Sequence, residues 1–237
     1  PNLFSCAFYP CEILLILSID FFVVKALGIL GGTFDPIHYG HLRPAQEVLR
    51  VLGLAEIRVI PAANPPHRQP PVATPEQRLR MVELAVAGVP GFTVDDREFR
   101  RGGPSYTVLT LESLRRESGE RPLCLLMGLD AFEGIETWHR WQRLPELAHF
   151  IVMTRPGWEF PTGGRLPPWA RDRLVRETSK LAQAGAGKIY FQAVTPQDIS
   201  ATRIRAALAR GEPVEAWLPS AVLEYIRANR VYVNRGN

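Results

Sequence analysis

A glycine-rich turn between an apolar stretch and an amphipathic one restricts the folds open to this chain more than any other feature. The apolar stretch ends in Leu27-Gly28-Ile29-Leu30, and residues 41–52 carry apolar side chains at helical spacing. This order of strand, glycine turn and helix suits an anion, because glycines let backbone amides approach closely and a helix N-terminus carries partial positive charge. The sequence therefore predicts a phosphate site where the first helix begins.

Two histidines, His38 and His41, occupy this turn in the pattern His-x-Gly-His. Their imidazoles can give a bound anion further hydrogen bonds or positive charge, in addition to the hydrogen bonds from the backbone amides. A lone histidine near an apolar segment is usually structural, whereas a pair on a glycine turn before a helix matches a motif in its required context. We interpret both histidines as functional.

The turn resembles the nucleotidyltransferase signature shared by nucleotide adenylyltransferases, cytidylyltransferases and, more distantly, class I aminoacyl-tRNA synthetases. The full string from Gly31 to Leu42 is more similar still to bacterial nicotinate-nucleotide adenylyltransferases. A second string, residues 199–205, resembles that family's Ile-Ser-x-Thr-x-Ile-Arg, with Ala201 where a second serine is frequent. The resemblance runs from about Lys25 to the C-terminus, and several separate motifs follow the family's order.

The resemblance implies that the two histidines contact the phosphates of ATP and stabilise charge on the α-phosphate during in-line attack. Such chemistry needs positioning and electrostatics, so no covalent intermediate is expected. Arg205 would bind the β- and γ-phosphates, Ser200 and Thr202 would give hydroxyl contacts, and Arg203 would face away. Asp130 would bind a ribose hydroxyl. The implied catalytic residues are His38, His41 and Arg205, and the implied ATP site comprises Gly31, Gly32, Phe34, His38, His41, Gly128, Asp130, Ile199, Ser200, Thr202 and Arg205.

Other segments match places where the family holds the nicotinate nucleotide. Trp138 would stack on the pyridinium ring, a cation–π contact, although core packing is the alternative and the preferred interpretation for Trp141. Amides near Tyr106 and Thr107 would hold the carboxylate. The implied acceptor site comprises Thr33, Asn64, His67, Arg68, Tyr106, Thr107, Trp138 and Arg155, whereas His139, Arg140 and His149 are interpreted as solvated surface.

Strand and helix patterns alternate after the glycine turn. Strands are predicted at 56–61, 92–94, 123–127, 150–153 and 189–194. A helix is predicted from an N-cap at Thr74 up to Gly88, and further helices at 105–118, 132–147, 169–184, 200–209 and 219–229, with loops at 62–72 and 95–104. This alternation predicts an α/β fold with a doubly wound, Rossmann-like parallel sheet, helices on both faces and a small C-terminal helical part.

The first 24 residues differ from the rest. Cys11 to Val24 is strongly apolar, but it holds Glu12 and Asp20, is shorter than a bilayer span and follows no positive residue. We interpret residues 1–24 as an apolar extension of unassigned role before a single nucleotidyltransferase domain at 25–237. The alternative is an additional strand or helix covering the sheet.

Charge and cysteine content limit which binding partners and which cellular compartment are expected for this chain. The net charge of +4 is mild and its basic residues are scattered, so no nucleic-acid partner is predicted, and a polyphosphate site accounts for the excess. Three scattered cysteines suit a reducing cytoplasm, and no membrane association is expected. With no motif for a metal cage, Mg²⁺ would arrive with ATP. A homo-oligomer is left open.

The expected reaction is ATP-dependent adenylyl transfer to nicotinate mononucleotide, giving nicotinate adenine dinucleotide and pyrophosphate in NAD biosynthesis. Three alternatives stay open. The acceptor could be nicotinamide mononucleotide, because acid versus amide depends on few hydrogen bonds. It could be another phosphorylated compound, such as phosphopantetheine or glycerol phosphate. The chain could also be a non-catalytic nucleotide-sensing module, against which intact His38, His41 and Arg205 argue.

Overall fold

A computed structural model describes residues 26–66, 70–155, 157 and 166–233 of the chain. Within these residues the chain forms six strands, β1 (Leu27–Gly32), β2 (Glu56–Pro61), β3 (Phe92–Val94), β4 (Leu123–Gly128), β5 (His149–Thr154) and β6 (Ile189–Ala193). They build one wholly parallel sheet with the order β3-β2-β1-β4-β5-β6. The predicted doubly wound parallel sheet is confirmed.

Nine α-helices connect or follow these strands in the described part of the chain. They are α1 (Tyr39–Val51), α2 (Pro75–Val86), α3 (Arg97–Arg101), α4 (Thr107–Ser118), α5 (Leu129–Glu133), α6 (Leu144–Leu147), α7 (Pro168–Arg171), α8 (Ala201–Ala209) and α9 (Ser220–Ala228). Short 3-10 helices cover Ile135–Thr137, Trp141–Arg143 and Thr178–Gln183.

Both faces of the sheet are buried, as the continuous apolar sequence of β4 predicts. Cys124 and Leu126 join one core, which also takes the apolar faces of α1, α2, α8 and α9. Leu123, Leu125 and Met127 join the other, which takes α4 and α6. Each fully buried leucine of this kind contributes roughly 2 kcal/mol of transfer free energy to folding. The two cores therefore fix the strands, and with them the positions of the loops that follow the strand ends.

The start of α2 is formed by the local sequence alone. The hydroxyl of Thr74 accepts from the Gln77 amide at 3.3 Å, and the Gln77 side chain accepts from the Thr74 amide at 3.0 Å. Pro75, which has no amide proton to satisfy, occupies the first helical position. The N-cap predicted at Thr74 is confirmed.

Three of the local predictions are wrong. The interval 95–104 holds the short helix α3, and residues 132–147 form several short helices, interrupted where Arg140 adopts a left-handed φ of 52°. Residues 169–184 do not form one continuous helix: α7 ends at Arg171, and a short 3-10 helix covers Thr178–Gln183. There the chain runs beside β6, with Val175 N–H donating to Ile189 O at 2.9 Å and Ile189 N–H to Arg173 O at 2.8 Å. Hydrogen bonds to a sheet edge outweigh a weak helical pattern.

His149 is buried, so its interpretation as solvated surface is wrong. Its Nδ1 accepts from Lys188 N–H at 3.0 Å, and its Nε2 lies 2.8 Å from the carbonyl oxygen of Ala184. With one ring nitrogen accepting and the other donating, the ring is neutral, and burial lowers its pKa. His149 thus fastens the connection that leads into β6.

The extension proposed at residues 1–24 lies outside the described residues, as do His67 and Arg68. Among the residues that are described, no helix has the length and apolar character needed to cross a bilayer. Cys124 is a buried free thiol, and burial raises its pKa to about 12.

Candidate active site

A crevice opens at the carboxyl ends of β1 and β4, where the strand order reverses. These strands pair only from Leu27↔Leu123 to Ile29↔Leu125, whereas β1 pairs with β2 as far as Gly32↔Pro61. Beyond Ile29, β1 and β4 therefore separate, and ligands of open parallel sheets bind at such a switch point. Gly31 and Gly32 of β1, and Gly128 of β4, lie at its edges.

The three glycines of β1 differ in the space that surrounds them. A Cβ on Gly28 would lie 2.7 Å from Cγ1 of Ile57 inside the sheet packing, and one on Gly32 would lie 2.8 Å from the ring of Phe34. A Cβ on exposed Gly31 would meet no atom within 4 Å. Space beside Gly31 is therefore open to a ligand.

The two motif histidines stack on each other at the start of α1. Their ring centroids are 3.8 Å apart at an interplanar angle of 25°, and the edge of Phe34 meets the His41 ring at 5.1 Å. The His38 amide donates to Nδ1 of His41 at 3.3 Å, which fixes the orientation of that ring. The structure thus brings the predicted pair into direct contact.

Both imidazoles are neutral at pH 7 in this arrangement. Burial lowers the pKa of His38 to about 4, and burial holds the pKa of His41 well below 6.5, helped by the repulsion that a second protonated ring beside His38 would meet. Nδ1 of His38 is buried and has no hydrogen-bond partner among the described residues. A polyphosphate placed here would favour protonated rings, since a nearby negative charge raises a histidine pKa.

The glycine between the histidines joins the two sequence motifs. A Cβ on Gly40 would lie 2.8 Å from the ring of His38 and 3.1 Å from the backbone carbonyl oxygen of Ile199. Only glycine lets both approach so closely. The second motif, residues 199–205, therefore packs directly against the first.

Arg205 is held beside the histidine turn. Its Nη1 donates to the carbonyl oxygen of Asp35 at 2.7 Å, and its Nη2 donates to the hydroxyl of Thr202 at 3.4 Å. Ser200 caps α8 by accepting from the Arg203 amide at 3.3 Å. The Arg203 side chain instead pairs with Asp198 and covers the ring of Trp217.

Asp35 fixes the turn, and the sequence reasoning missed it. Its buried carboxylate accepts from the amides of Val72 and Ala73 at 2.9 and 3.0 Å and from the hydroxyl of Tyr232 at 2.7 Å. Burial, with the charge of Asp35, raises the pKa of Tyr232. The available signal was the one acidic residue in the string from Gly31 to Leu42, but its partners are too distant in sequence to predict.

Arg78 on α2 was also missed. It is 1% exposed, and its guanidinium donates to the carbonyl oxygens of Thr33, Ala62 and Ala63 at 2.8, 2.5 and 3.0 Å. Burial lowers its pKa. The available signal was an arginine in helical register with the buried residues Met81 and Val82, a position where an apolar side chain is expected.

The segments predicted to hold the acceptor lie beside one another. Asn64 and Ser105 exchange two hydrogen bonds, Asn64 N–H to Ser105 Oγ and Ser105 N–H to Asn64 O, both at 2.9 Å. The ring of Tyr106 stacks on His139 at 4.1 Å, which joins the start of α4 to the tryptophan segment. His139 is exposed, as predicted, and half-buried Trp138 precedes it.

The tryptophans both contact the core. Trp138 and Trp141 pack against the cluster beneath α4, and Trp141 also lies 5.2 Å from the ring of Trp169. Arg140 is exposed and pairs with Glu112 at 3.1 Å. The packing expected for Trp141 is therefore present, and Trp138 shares it in part.

The remaining predicted residues stand at strand ends on the same edge of the sheet. Asp130 is exposed in the first turn of α5, and a Cβ on Gly128 would lie 2.7 Å from its Oδ1. Arg155 is exposed immediately after β5. Within the described residues, no group of three or more histidine, cysteine, aspartate or glutamate side chains is placed to hold a metal ion.

Comparison with known proteins gives consistent matches. The family model of cytidylyltransferase-like proteins matches residues 29–207. A "probable nicotinate-nucleotide adenylyltransferase" of Methylococcus capsulatus is 49% identical over 207 residues, covering 87% of this chain and 99% of that protein. One of Halorhodospira halophila is 50% identical over 203 residues, covering 86% and 93%. The solved nicotinic acid mononucleotide adenylyltransferase of Plasmodium falciparum, complexed with NaAD, has a TM-score of 0.67 at 16% identity, covering 88% of this chain and 97% of that one.

Proposed function

Because this chain belongs to the nicotinate-nucleotide adenylyltransferases within the cytidylyltransferase-like family, we propose that it transfers the adenylyl group of ATP to nicotinate mononucleotide. The products are nicotinate adenine dinucleotide and pyrophosphate, which places the chain in NAD biosynthesis. The observation that carries this function is the stacked pair His38 and His41 at the mouth of the β1–β4 crevice, with Arg205 bonded to the same turn.

In the reaction, a phosphate oxygen of nicotinate mononucleotide attacks the α-phosphorus of ATP. The new phosphoanhydride bond forms as the bond from the α-phosphorus to the bridging oxygen breaks, and pyrophosphate leaves with that electron pair. The role of His38 and His41 is to donate hydrogen bonds to the α-phosphate, where negative charge builds up. Arg205 binds the departing β- and γ-phosphates with its planar fork of donors.

Mg²⁺ enters this scheme as part of the substrate. Its preference for phosphate oxygens and water over an all-protein cage suits delivery as the ATP complex. The protein then contributes positioning through the turn, the histidines and Arg205. In this proposal Asp130, exposed at the start of α5, binds a ribose hydroxyl, and exposed Arg155 contacts the acceptor.

The start of α4 supplies the recognition of the acceptor's carboxylate. The Ser105 and Tyr106 amides already donate to Asn64 O and Pro104 O, whereas no described hydrogen bond uses the amides of Thr107 and Val108. Free amides at a helix N-terminus bind anions. The charge of a carboxylate is favoured there over a neutral amide, which supports nicotinate over nicotinamide mononucleotide. Trp138 stacks on the pyridinium ring.

The partners in this proposal are small molecules. The mild net charge of +4 gives no reason to add a nucleic-acid partner, and the chain functions in the cytoplasm, where ATP and pyridine nucleotides are available.

A pyrophosphate-release assay tests the proposal. Purified protein with ATP and Mg²⁺ is given nicotinate mononucleotide, nicotinamide mononucleotide or phosphopantetheine in parallel. We expect release with the first compound, less with the second and none with the third. Absence of release with nicotinate mononucleotide would refute the assignment, and ATP binding without turnover on any acceptor would favour the nucleotide-sensing alternative.

A further inference from the structure

The buried arginine Arg78 bridges two loops at the point where the sheet stops holding them together. The last ladder bond between β1 and β2 runs from the Ala62 amide to Gly32 O at 2.8 Å. Beyond it, the Arg78 guanidinium takes over, with Nη1 bonded to Thr33 O and Ala62 O and Nη2 to Ala63 O. One rigid, planar group thus fixes the separation of these two segments of the chain beyond the ends of β1 and β2.

Stability alone is a poor reason for this arrangement. Arg78 is 1% exposed, and each of its described hydrogen bonds goes to a neutral carbonyl. Burying a charge is costly, and apolar residues of similar volume often stabilise a core better than a buried ion. Burial lowers the pKa of Arg78, and the negative charges of Asp35 and Glu98 partly oppose this effect. Neither carboxylate has a described hydrogen bond to the Arg78 guanidinium. A planar fork is what an apolar residue cannot provide.

The two bridged loops carry the two halves of the proposed reaction. Thr33 precedes the turn with His38 and His41, where the α-phosphate of ATP sits. Ala63 precedes Asn64, which exchanges two hydrogen bonds with Ser105 at the acceptor side. A change at Arg78 would therefore move these two loops relative to each other.

We propose that Arg78 is a positioning residue that sets the distance between the ATP turn and the acceptor loop. The inference rests on the proposed function. In a direct transfer between two bound substrates, displacing one by about 1 Å costs on the order of a hundredfold in rate. Loss of Arg78 therefore slows transfer and weakens acceptor binding more than it weakens ATP binding, because Asp35 holds Arg205 independently.

The chain offers a matched control in Arg115 on α4. Its guanidinium donates to four backbone carbonyls, where that of Arg78 donates to three. The four belong to Gly119, Arg121, Leu147 and Gly185 and lie at 2.6 to 2.8 Å. These carbonyls lie shortly before β4, β5 and β6, at the amino ends of the strands, whereas the crevice lies at the carboxyl ends. Replacing Arg115 therefore removes a comparable set of hydrogen bonds without touching either substrate loop.

The experiment compares Arg78→Lys and Arg78→Gln with Arg115→Lys and Arg115→Gln in the full chain. Steady-state kcat and both KM values are measured per folded protein, with ATP affinity by calorimetry and stability by urea unfolding. We expect Arg78 variants to lose roughly 10- to 100-fold in kcat, with a raised KM for nicotinate mononucleotide and nearly unchanged ATP affinity. Arg115 variants lose stability but keep wild-type kinetics per folded molecule.

Two results would overturn the inference: normal kinetics per folded molecule in Arg78→Lys and Arg78→Gln, or an equal kinetic loss in the Arg115 variants. Assays at low temperature keep the less stable variants folded, and ATP calorimetry reports on the turn when turnover is too low to measure. Failure of the proposed function would appear separately, as absence of pyrophosphate release in the wild-type protein.

Discussion

The hydroxyl of Tyr232, beyond the last helix, donates to Oδ1 of Asp35 in the histidine turn over 2.7 Å. The same carboxylate accepts the amides of Val72 and Ala73, so a single buried side chain joins three distant segments of the chain. The turn that holds the proposed catalytic pair is therefore built from contacts far outside its own sequence.

Replacing Tyr232 by phenylalanine removes this hydroxyl while keeping the ring. A buried carboxylate that loses one donor is destabilised, so we expect the free energy of unfolding to fall by about 1–3 kcal/mol. Urea denaturation measures the change. Tyr225→Phe on α9 is the control, since no described hydrogen bond uses the Tyr225 hydroxyl. Equal stability of the two variants would mean that the Tyr232 bond contributes nothing.

Replacing His41 by alanine should lower turnover by at least roughly a hundredfold, the scale of losing one donor to the transition state. The fold should persist, because His41 is at the edge of the crevice rather than in either core. Pyrophosphate release gives the rate and circular dichroism the folding. His149→Ala is the counterpart, with lower stability but normal turnover per folded molecule. Near-normal turnover in His41→Ala, with a loss in His149→Ala, would mean that His41 is not the residue that stabilises the transition state.

Stability should depend on pH through His38. The folded chain holds this ring at a pKa of about 4, whereas an unfolded histidine titrates near 6.5. Between these values the unfolded state binds more protons, so stability is complete above pH 6.5 and falls as the pH drops towards 4, by up to about 1.4 kcal/mol per pH unit. Urea unfolding across pH 4.5–6.5 should give a shallower slope for His38→Gln than for the wild-type protein.

Arg205 and Arg203 provide a matched pair on one helix. Arg205→Lys retains the charge but loses the planar fork, so we expect the KM for ATP to rise roughly tenfold. Arg203 is turned towards Asp198 and Trp217, so Arg203→Lys should bind ATP normally. Initial rates at varied ATP give both values. A larger effect in Arg203→Lys would reverse the proposed orientation of α8.

Short-range signals in the sequence were enough for much of the fold. The limits of β2 match the structure because a buried strand is bounded by local turns. Thr74 caps α2 as predicted because the cap and its capping partner are three residues apart. Residues 169–184 could not be predicted, because their conformation depends on hydrogen bonds to β6. The partners of His149, Ala184 and Lys188, are 35 and 39 residues away.

The candidate site divides in the same way. His38, His41 and Arg205 were identified because each lies in a motif that can be read as a string. Asp35, Arg78 and Tyr232 were missed because each acts through atoms of distant segments. Arg78 reaches Thr33 across 45 positions and Tyr232 reaches Asp35 across 197, and no local pattern encodes such contacts.

Gly28 and Gly31, three residues apart in β1, should be under different selection. A Cβ at Gly28 would lie against Ile57, so we expect selection for a folded protein to keep this glycine, whatever the protein does. A Cβ at Gly31 would meet no described atom within 4 Å, so in the proposed function only a bound ligand would oppose it. We therefore expect Gly31 to vary in lineages that no longer need the reaction, while the fold persists. Its identity in a relative would then indicate whether the crevice is still in use.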